Sequence, residues 1–208
     1  MAENNLNIGS KTPAKTESKK TSKPVVAKVF KAAISKEKRL ENKMREIVLE
    51  KIVINMGVGQ SGEELEKAVK IMKMITNKTP IKTICKVKLP TWGIRPGLPI
   101  GCKVTLRGKD ALDFINLSLK AKKFRLPKKS FNRDGNFSYG VSEYIEMPGV
   151  KYDPSLGIRG FDVCVNLKRR GYRVKLRKYN SRKIGINQII GQNDAIKFAE
   201  EKLKIVVE

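Results

Sequence analysis

Two stretches of the sequence alternate apolar and polar residues, and no other feature restricts the possible folds as much. They are EKIVINMGVG, residues 50–59, and PIGCKVTLRG, residues 99–108. Successive side chains of a strand point to opposite faces of a sheet, so each stretch has one apolar face and one largely polar face. The polar faces carry Lys51, Asn55, Lys103, Thr105 and Arg107. These strands therefore predict a sheet of which only one face is buried.

Three segments repeat apolar residues at helical spacing. The first is predicted to begin at a capping box formed by Ser61 and Glu64 and to end near Asn77. The second ends at about Lys123, and the third spans about residues 194–204. The inward residues of the second helix are predicted to be Leu112, Ile115 and Leu119, with Phe114 as a further candidate.

The segment between the second and third helices returns to short strands and turns. Asp134, Gly135 and Asn136 form a turn signal before the strand FSYGV, and residues 161–167 alternate again. This order of elements predicts an α+β fold with two layers. Its sheet is largely antiparallel, with helices packed on one face and the other face left open.

The charge of the chain predicts an acidic partner. Lys and Arg number 45 against 20 Asp and Glu, which gives a formal net charge of +25. A basic surface that neutralises phosphates releases condensed counterions, so nucleic acid is favoured over an anionic membrane. No stretch approaches the roughly 18 apolar residues of a membrane span, and no secretory signal is evident. We therefore expect a cytoplasmic protein whose open sheet face binds RNA.

The absence of histidine argues against most forms of catalysis. Ser-His-Asp and Cys-His catalysis and histidine-containing zinc sites all require imidazole. The three cysteines, Cys85, Cys102 and Cys164, are far apart and one short of a four-thiolate zinc site. An enzyme using carboxylates or lysines would need acids that converge in a pocket. We expect no catalytic residues, no metal and no cofactor.

Composition divides the chain into a tail and a domain. Residues 1–43 carry eleven basic and four acidic side chains and include the low-complexity stretch KTPAKTESKKTSK. This extension is predicted to be disordered or extended when free, and either solubilises the chain or becomes ordered on RNA. Residues 44–208 are predicted to form a single domain. Within it, residues 168–183 contain nine basic side chains and no acidic ones.

Four blocks of the sequence resemble one ribosomal family. They are residues 50–59, RPGLPIGCKVTLRG at 95–108, SFNRDGNFSYGV at 130–141 and YDPSLGIRGFDVCVNL at 152–167. Their order and spacing resemble the large-subunit ribosomal protein L-five family, in its archaeal and eukaryotic branch. The resemblance implies a non-enzymatic structural constituent of the large ribosomal subunit. It also implies a place in the central protuberance, where the open sheet face holds 5S rRNA.

The resemblance assigns roles to particular residues of the open face and of one loop. The 5S rRNA-binding residues would be Asn55, Thr105 and Arg107, joined on the same face by Lys51 and Lys103. The loop after the second predicted strand resembles the family's loop that approaches P-site tRNA. Its tRNA-proximal residues would be Lys86, Lys88, Trp92 and Arg95. Trp92 either stacks on nucleic acid or anchors the loop, and anchoring is the favoured interpretation.

Two further regions acquire expected partners in the same way. The intersubunit bridge to a protein of the small-subunit head would involve Asn132, Arg133, Asp134 and Asn136. The basic segment would contact large-subunit rRNA through Arg169, Arg170, Arg173, Lys175, Arg177 and Lys178. Neighbouring proteins of the central protuberance complete the expected set of partners.

The residues alone leave alternatives. An RNA-binding regulator or chaperone outside the ribosome would use the same basic face but bind many RNAs. The chain also departs from its apparent relatives, with Asn77-Lys78-Thr79-Pro80 where many carry a GQ[KR]P segment. An RNA contact at that position is therefore not assigned.

Overall fold

The two alternating stretches lie side by side in the sheet of the computed structural model, which describes residues 42–208. The strands are β1 Ile47–Gly57, β2 Ile81–Ile84, β3 Pro99–Leu106, β4 Arg125–Leu126, β5 Phe137–Val141, β6 Phe161–Arg169 and β7 Val206–Val207. Five form an antiparallel sheet in the order β2-β3-β1-β6-β5. The short β4 and β7 form a separate parallel pair. The predicted N-terminal extension lies outside the described residues, apart from its last two residues, Asn42 and Lys43.

Helices cover one face of the five-stranded sheet. The helices are α1 Glu63–Thr76, α2 Lys109–Ala121, α3 Arg173–Leu176 and α4 Gln192–Leu203. The apolar face of β1, which includes Ile52 and Ile54, packs in one core with Ile71 of α1 and Ile115 of α2. Among residues 42–208, no helix is long and apolar enough to cross a membrane. The predicted α+β fold with one covered sheet face is confirmed.

The start of α1 differs from the prediction. Gly62 occupies the N-cap position with φ +112°, and no side chain caps the helix. Glu64 instead pairs with the guanidinium of Arg159 and with Lys67, 3.5 Å away. The capping box with Ser61 is therefore wrong, because a distant cation engages the carboxylate that the box requires. The end of the helix is as predicted, with Asn77 in the left-handed conformation at the C-cap.

The other two long helices also differ slightly from the prediction, one in its buried face and the other in its bounds. In α2, Ala111 and Phe114 are buried while Leu112 is 46% exposed, so the predicted inward position of Leu112 is wrong. The helix is rotated so that its buried stripe begins one residue earlier. The C-terminal helix was predicted at about residues 194–204 and occurs at Gln192–Leu203.

Candidate nucleic-acid interface

The sheet face opposite the helices, called the open face below, carries the polar residues of the alternating stretches. The strand residues that point to it include Val48, Lys51, Val53, Asn55, Gly57, Ile81, Thr83, Gly101, Lys103, Thr105, Ser138, Gly140, Asp162, Cys164, Asn166 and Lys168. Arg107 directly follows β3 and is exposed. All five residues predicted to bind 5S rRNA thus lie on or beside one surface.

The strand register places these residues in rows across the open face. Asn55 of β1 lies opposite Lys103 of β3 on one side and Asp162 of β6 on the other. In the next row, Val53 lies opposite Thr105 and Cys164. Directly opposed residues have Cβ atoms about 4.5–5.5 Å apart. A cation, an amide and a hydroxyl therefore lie within one short stretch of surface.

Three cations on or beside this face have no carboxylate partner within the part of the chain that the structure describes, whereas a fourth, Lys168, pairs with Glu50 at 3.7 Å. Ion pairs engage Lys67, Lys78, Arg125, Arg159, Lys168, Arg169 and Arg170, but not Lys51, Lys103 or Arg107. An unpaired cation is available to bind an external anion. An arginine can bind a phosphate through two parallel hydrogen bonds. The open face can therefore bind a phosphate backbone without breaking internal ion pairs.

Cys164 and Asp162 are two open-face residues that were not predicted as site residues. Cys164 is partly buried there, and burial together with the nearby negative charge of Asp162 raises the pKa of its thiol. A thiol held in its neutral form is a poor nucleophile. Asp162 itself is exposed. Its alternation with buried Phe161 and Val163 is the sequence signal that could have placed it on this face.

The loop between β2 and β3 is held by its own backbone hydrogen bonds. Leu89 and Ile94 exchange two such bonds, of 3.0 and 3.1 Å, and Cys85 N donates to Leu98 O at 2.8 Å. Ile94 is 7% exposed, whereas Trp92 is 72% exposed. The interpretation of Trp92 as the anchor is therefore wrong, since Ile94 supplies the buried contact and the indole faces outward.

The cations of this loop share the exposure of Trp92. Lys86, Lys88 and Arg95 are all exposed, and none forms an ion pair with a described carboxylate. An exposed aromatic ring among unpaired cations is a combination that suits nucleic acid, because bases stack on rings while cations meet phosphates.

The predicted bridge residues form a tight turn before β5. Asn132 N donates to Asn136 O at 2.8 Å, and Gly135 N donates to Asn132 O at 3.0 Å. The side chain of Asn136 accepts a hydrogen bond from Leu167 N at 3.1 Å, so it stabilises the turn against β6. Asn132, Arg133 and Asp134 remain exposed. These three, rather than Asn136, present the surface of the turn.

Arg169 differs from the other predicted residues of the basic segment. It is 7% exposed, and its Nη2 donates to Asp194 Oδ2 at 2.7 Å. Its Nη1 donates to Asn187 O at 3.2 Å. The prediction that Arg169 contacts rRNA is corrected accordingly, because its guanidinium is bound inside the fold. The remaining predicted residues are exposed, namely Arg170, Arg173, Lys175, Arg177 and Lys178.

A cleft of about 680 Å³ lies between the basic segment and the β6 end of the open face. Asn136, Asn166, Tyr172 and Arg182 contribute to its lining. The hydroxyl of Tyr172 donates to Gln188 O at 3.0 Å, and burial raises the pKa of this phenol. Within residues 42–208, no three His, Cys, Asp or Glu side chains are grouped so as to hold a metal ion. The polar and basic side chains described at this surface can form hydrogen bonds and neutralise negative charge.

Comparisons with known proteins agree on one family. The family model described as "Ribosomal protein L5" matches residues 42–95, and the C-terminal model of the same ribosomal family matches residues 99–204. The chain is similar to the large ribosomal subunit protein uL5 of Archaeoglobus fulgidus, 46% identical over 178 residues, which are 85% of this chain and 99% of the relative. The uL5 protein of Methanoregula boonei is 44% identical over 164 residues, 79% of this chain and 99% of the relative. The uL5 protein of Nanoarchaeum equitans is 44% identical over 169 residues, which are 81% of this chain and 99% of the relative.

Proposed function

Because the chain belongs to the ribosomal protein L5 family of structural, non-enzymatic large-subunit proteins, we propose that it holds 5S rRNA with the open face of its sheet. The observation that supports the proposal is the group of unpaired cations and short polar side chains on or beside that face. Lys51, Lys103 and Arg107 neutralise phosphates, while Asn55 and Thr105 bond to 2′-hydroxyls. The site of action is the ribosome, in the cytoplasm.

The open face favours a folded RNA over a single strand. Its strand positions include no Phe, Tyr or Trp, so bases cannot stack on it. Double-stranded RNA is bound mainly through its shape, its 2′-hydroxyls and its phosphates, which need short polar groups and cations. We therefore assign this surface to the folded backbone of 5S rRNA in the central protuberance.

The remaining regions supply further contacts in this proposal. The loop bearing Trp92 approaches P-site tRNA, with Lys86, Lys88 and Arg95 on phosphates and the exposed indole stacking on a base. The turn residues Asn132, Arg133 and Asp134 meet a protein of the small-subunit head. The exposed cations of the basic segment reach large-subunit rRNA, and other proteins of the central protuberance lie alongside. The exposure of these side chains supports the assignments to tRNA, to the small-subunit head protein and to rRNA.

A binding titration tests the proposal for the open face. Purified protein is titrated with 5S rRNA and with an unrelated structured RNA of similar length, at two salt concentrations. We expect a preference for 5S rRNA that persists at the higher salt. Equal affinities that fall together with salt would contradict it and would favour a general RNA chaperone.

Arg107→Ala is the variant that links this preference to the open face. A charge-assisted hydrogen bond contributes about 1.5–3 kcal/mol, so 5S rRNA binding is expected to weaken about tenfold or more. Lys120→Ala is the matched control, because this exposed lysine lies on α2, across the sheet from the open face. Equal losses in the two variants would remove the open face from the proposal, as would an equal loss in Lys11→Ala within the N-terminal extension.

A further inference from the structure

Among the described strand residues at the open face, Asp162 is the acid that has no ion-pair partner. Its carboxylate is exposed, and no described cation or hydrogen-bond donor pairs with it. Glu50, at the bulge of β1, is different, because it pairs with Lys168 at 3.7 Å. An unpaired carboxylate on a surface that binds phosphates weakens that binding through repulsion. Such a carboxylate can contribute favourably to RNA binding only by accepting hydrogen bonds from donors of the RNA.

The neighbours of Asp162 keep its carboxylate accessible. Gly140 of the edge strand β5 lies directly opposite, and a Cβ on it would stand 3.3 Å from Asp162 Oδ1. The φ of Gly140 is not positive, so the backbone there does not require glycine. The missing side chain instead leaves room for the carboxylate. On the other side lies Asn55, whose amide is likewise without a side-chain partner among the described residues.

The chemistry of these two side chains indicates what they can bind. An ionised carboxylate only accepts hydrogen bonds, so it cannot bind a phosphate oxygen, which also only accepts. In RNA the available donors are base N–H groups and 2′-hydroxyls. Guanine presents two adjacent donors, N1–H and N2–H, that match the two oxygens of one carboxylate. Unpaired bases in loops and bulges expose this edge to proteins.

We propose that Asp162, with Asn55 beside it, recognises the N–H edge of an unpaired guanine in the RNA that the open face binds. This inference rests on the proposed function and adds base readout to a surface that otherwise recognises shape and backbone. Asp162 accepts from the guanine N1–H and N2–H, and the Asn55 amide donates to the neighbouring O6 or a 2′-hydroxyl. Asp162 is therefore a specificity-determining residue.

The proposal and simple electrostatics predict effects of opposite sign for Asp162→Asn. Removing a negative charge from a basic surface should strengthen binding to every RNA if the carboxylate has only a repulsive role. If it accepts two hydrogen bonds from guanine, the isosteric amide loses one of them and meets N–H groups with its own NH₂. Binding to 5S rRNA then weakens while binding to unrelated RNA becomes equal or tighter.

The test is a titration of full-length wild type and Asp162→Asn with 5S rRNA and an unrelated structured RNA, at one salt concentration. We expect about a tenfold loss for 5S rRNA, in line with the discrimination of a bidentate base contact, and no loss for the unrelated RNA. Asp113→Asn on α2 is the control, because this exposed acid also has no ion pair among the described residues, and it should change neither affinity.

Chemical probing locates the base directly. Kethoxal modifies N1 and N2 of unpaired guanines, so saturating wild-type protein should protect at least one guanine of 5S rRNA that Asp162→Asn leaves reactive. Identical kethoxal patterns for the two proteins, or tighter binding of the variant to both RNAs, would overturn the inference. Wild type without any preference for 5S rRNA would overturn the proposed function and the inference together. A preference that is undiminished in the variant would overturn the inference alone.

Discussion

The guanidinium of Arg169 is the buried end of a contact that joins β6 to the C-terminal helix. Its partner Asp194 lies in the first turn of α4, and Asn187 O accepts a second hydrogen bond. The Nε of Arg169 is buried without a partner among the described residues. A buried cation with two of its nitrogens bonded makes the fold depend on Asp194, because loss of the carboxylate leaves the charge uncompensated.

Asp194→Ala is therefore expected to lower the free energy of unfolding by about 1–3 kcal/mol. Asp110→Ala is the matched control, since Asp110 also lies in a first helical turn and pairs with Lys78 at 2.9 Å, but on the surface. That exposed pair is expected to contribute less than about 1 kcal/mol. Urea unfolding of both variants measures the difference, and equal losses would contradict a structural role for Arg169.

At the scale of elements, the loop between β2 and β3 combines a fixed base with an exposed tip. Cys85 and Ile94 are buried, and backbone hydrogen bonds close the loop between Leu89 and Ile94. Trp92 lies between Leu89 and Ile94, in a short 3-10 turn formed by Pro90–Trp92, and its side chain faces outward. The loop can therefore present its aromatic ring in a defined position without relying on that ring for its own folding.

This division of roles predicts different effects of two substitutions. Ile94→Ala removes the buried contact and should destabilise the loop by about 2 kcal/mol, with faster hydrogen exchange at the amides of Cys85, Leu89 and Gly97. Trp92→Ala should change the free energy of unfolding by no more than about 0.5 kcal/mol. Amide exchange followed by NMR distinguishes them. Faster exchange in Trp92→Ala than in Ile94→Ala would show that the indole is the anchor.

Across the whole molecule, the positive charge is divided between residues 44–208 and the N-terminal extension, residues 1–43. Residues 1–43 carry eleven basic and four acidic side chains, and residues 44–208 carry 34 and 16, so the latter keep a net charge of +18. The open face lies entirely within the compact unit Lys43–Glu208. Specific recognition and general charge attraction can therefore be separated by truncation.

We predict that a chain lacking residues 1–43 retains the preference for 5S rRNA over unrelated RNA within about twofold, because the residues of the open face are unchanged. The slope of log K against log salt counts the phosphates neutralised. A smaller slope after truncation would mean that the extension binds RNA, and an unchanged slope would mean that it acts in solubility alone. Loss of the preference itself would contradict the assignment of recognition to the open face.

The sequence by itself determined the main strands, the three long helices and the two faces of the sheet. Period-two alternation depends on local backbone geometry, so it placed Asn55, Lys103 and Thr105 on one surface without knowledge of their neighbours. The end of α1 was also predictable from the local sequence, because it depends on the left-handed backbone conformation of one residue, Asn77. The four sequence blocks indicated the family, and the comparisons confirm it.

Only the tertiary structure decided which residues meet across the chain. Arg169 and Arg170 are adjacent and alike in sequence, yet one is buried against Asp194 and the other pairs on the surface with Glu46 at 3.3 Å. Likewise, Ile94 and not Trp92 is buried in the loop, Glu64 binds Arg159 in place of a helix cap, and Asp162 faces Asn55. Burial and pairing depend on strand order and on residues distant in sequence, which no local pattern contains.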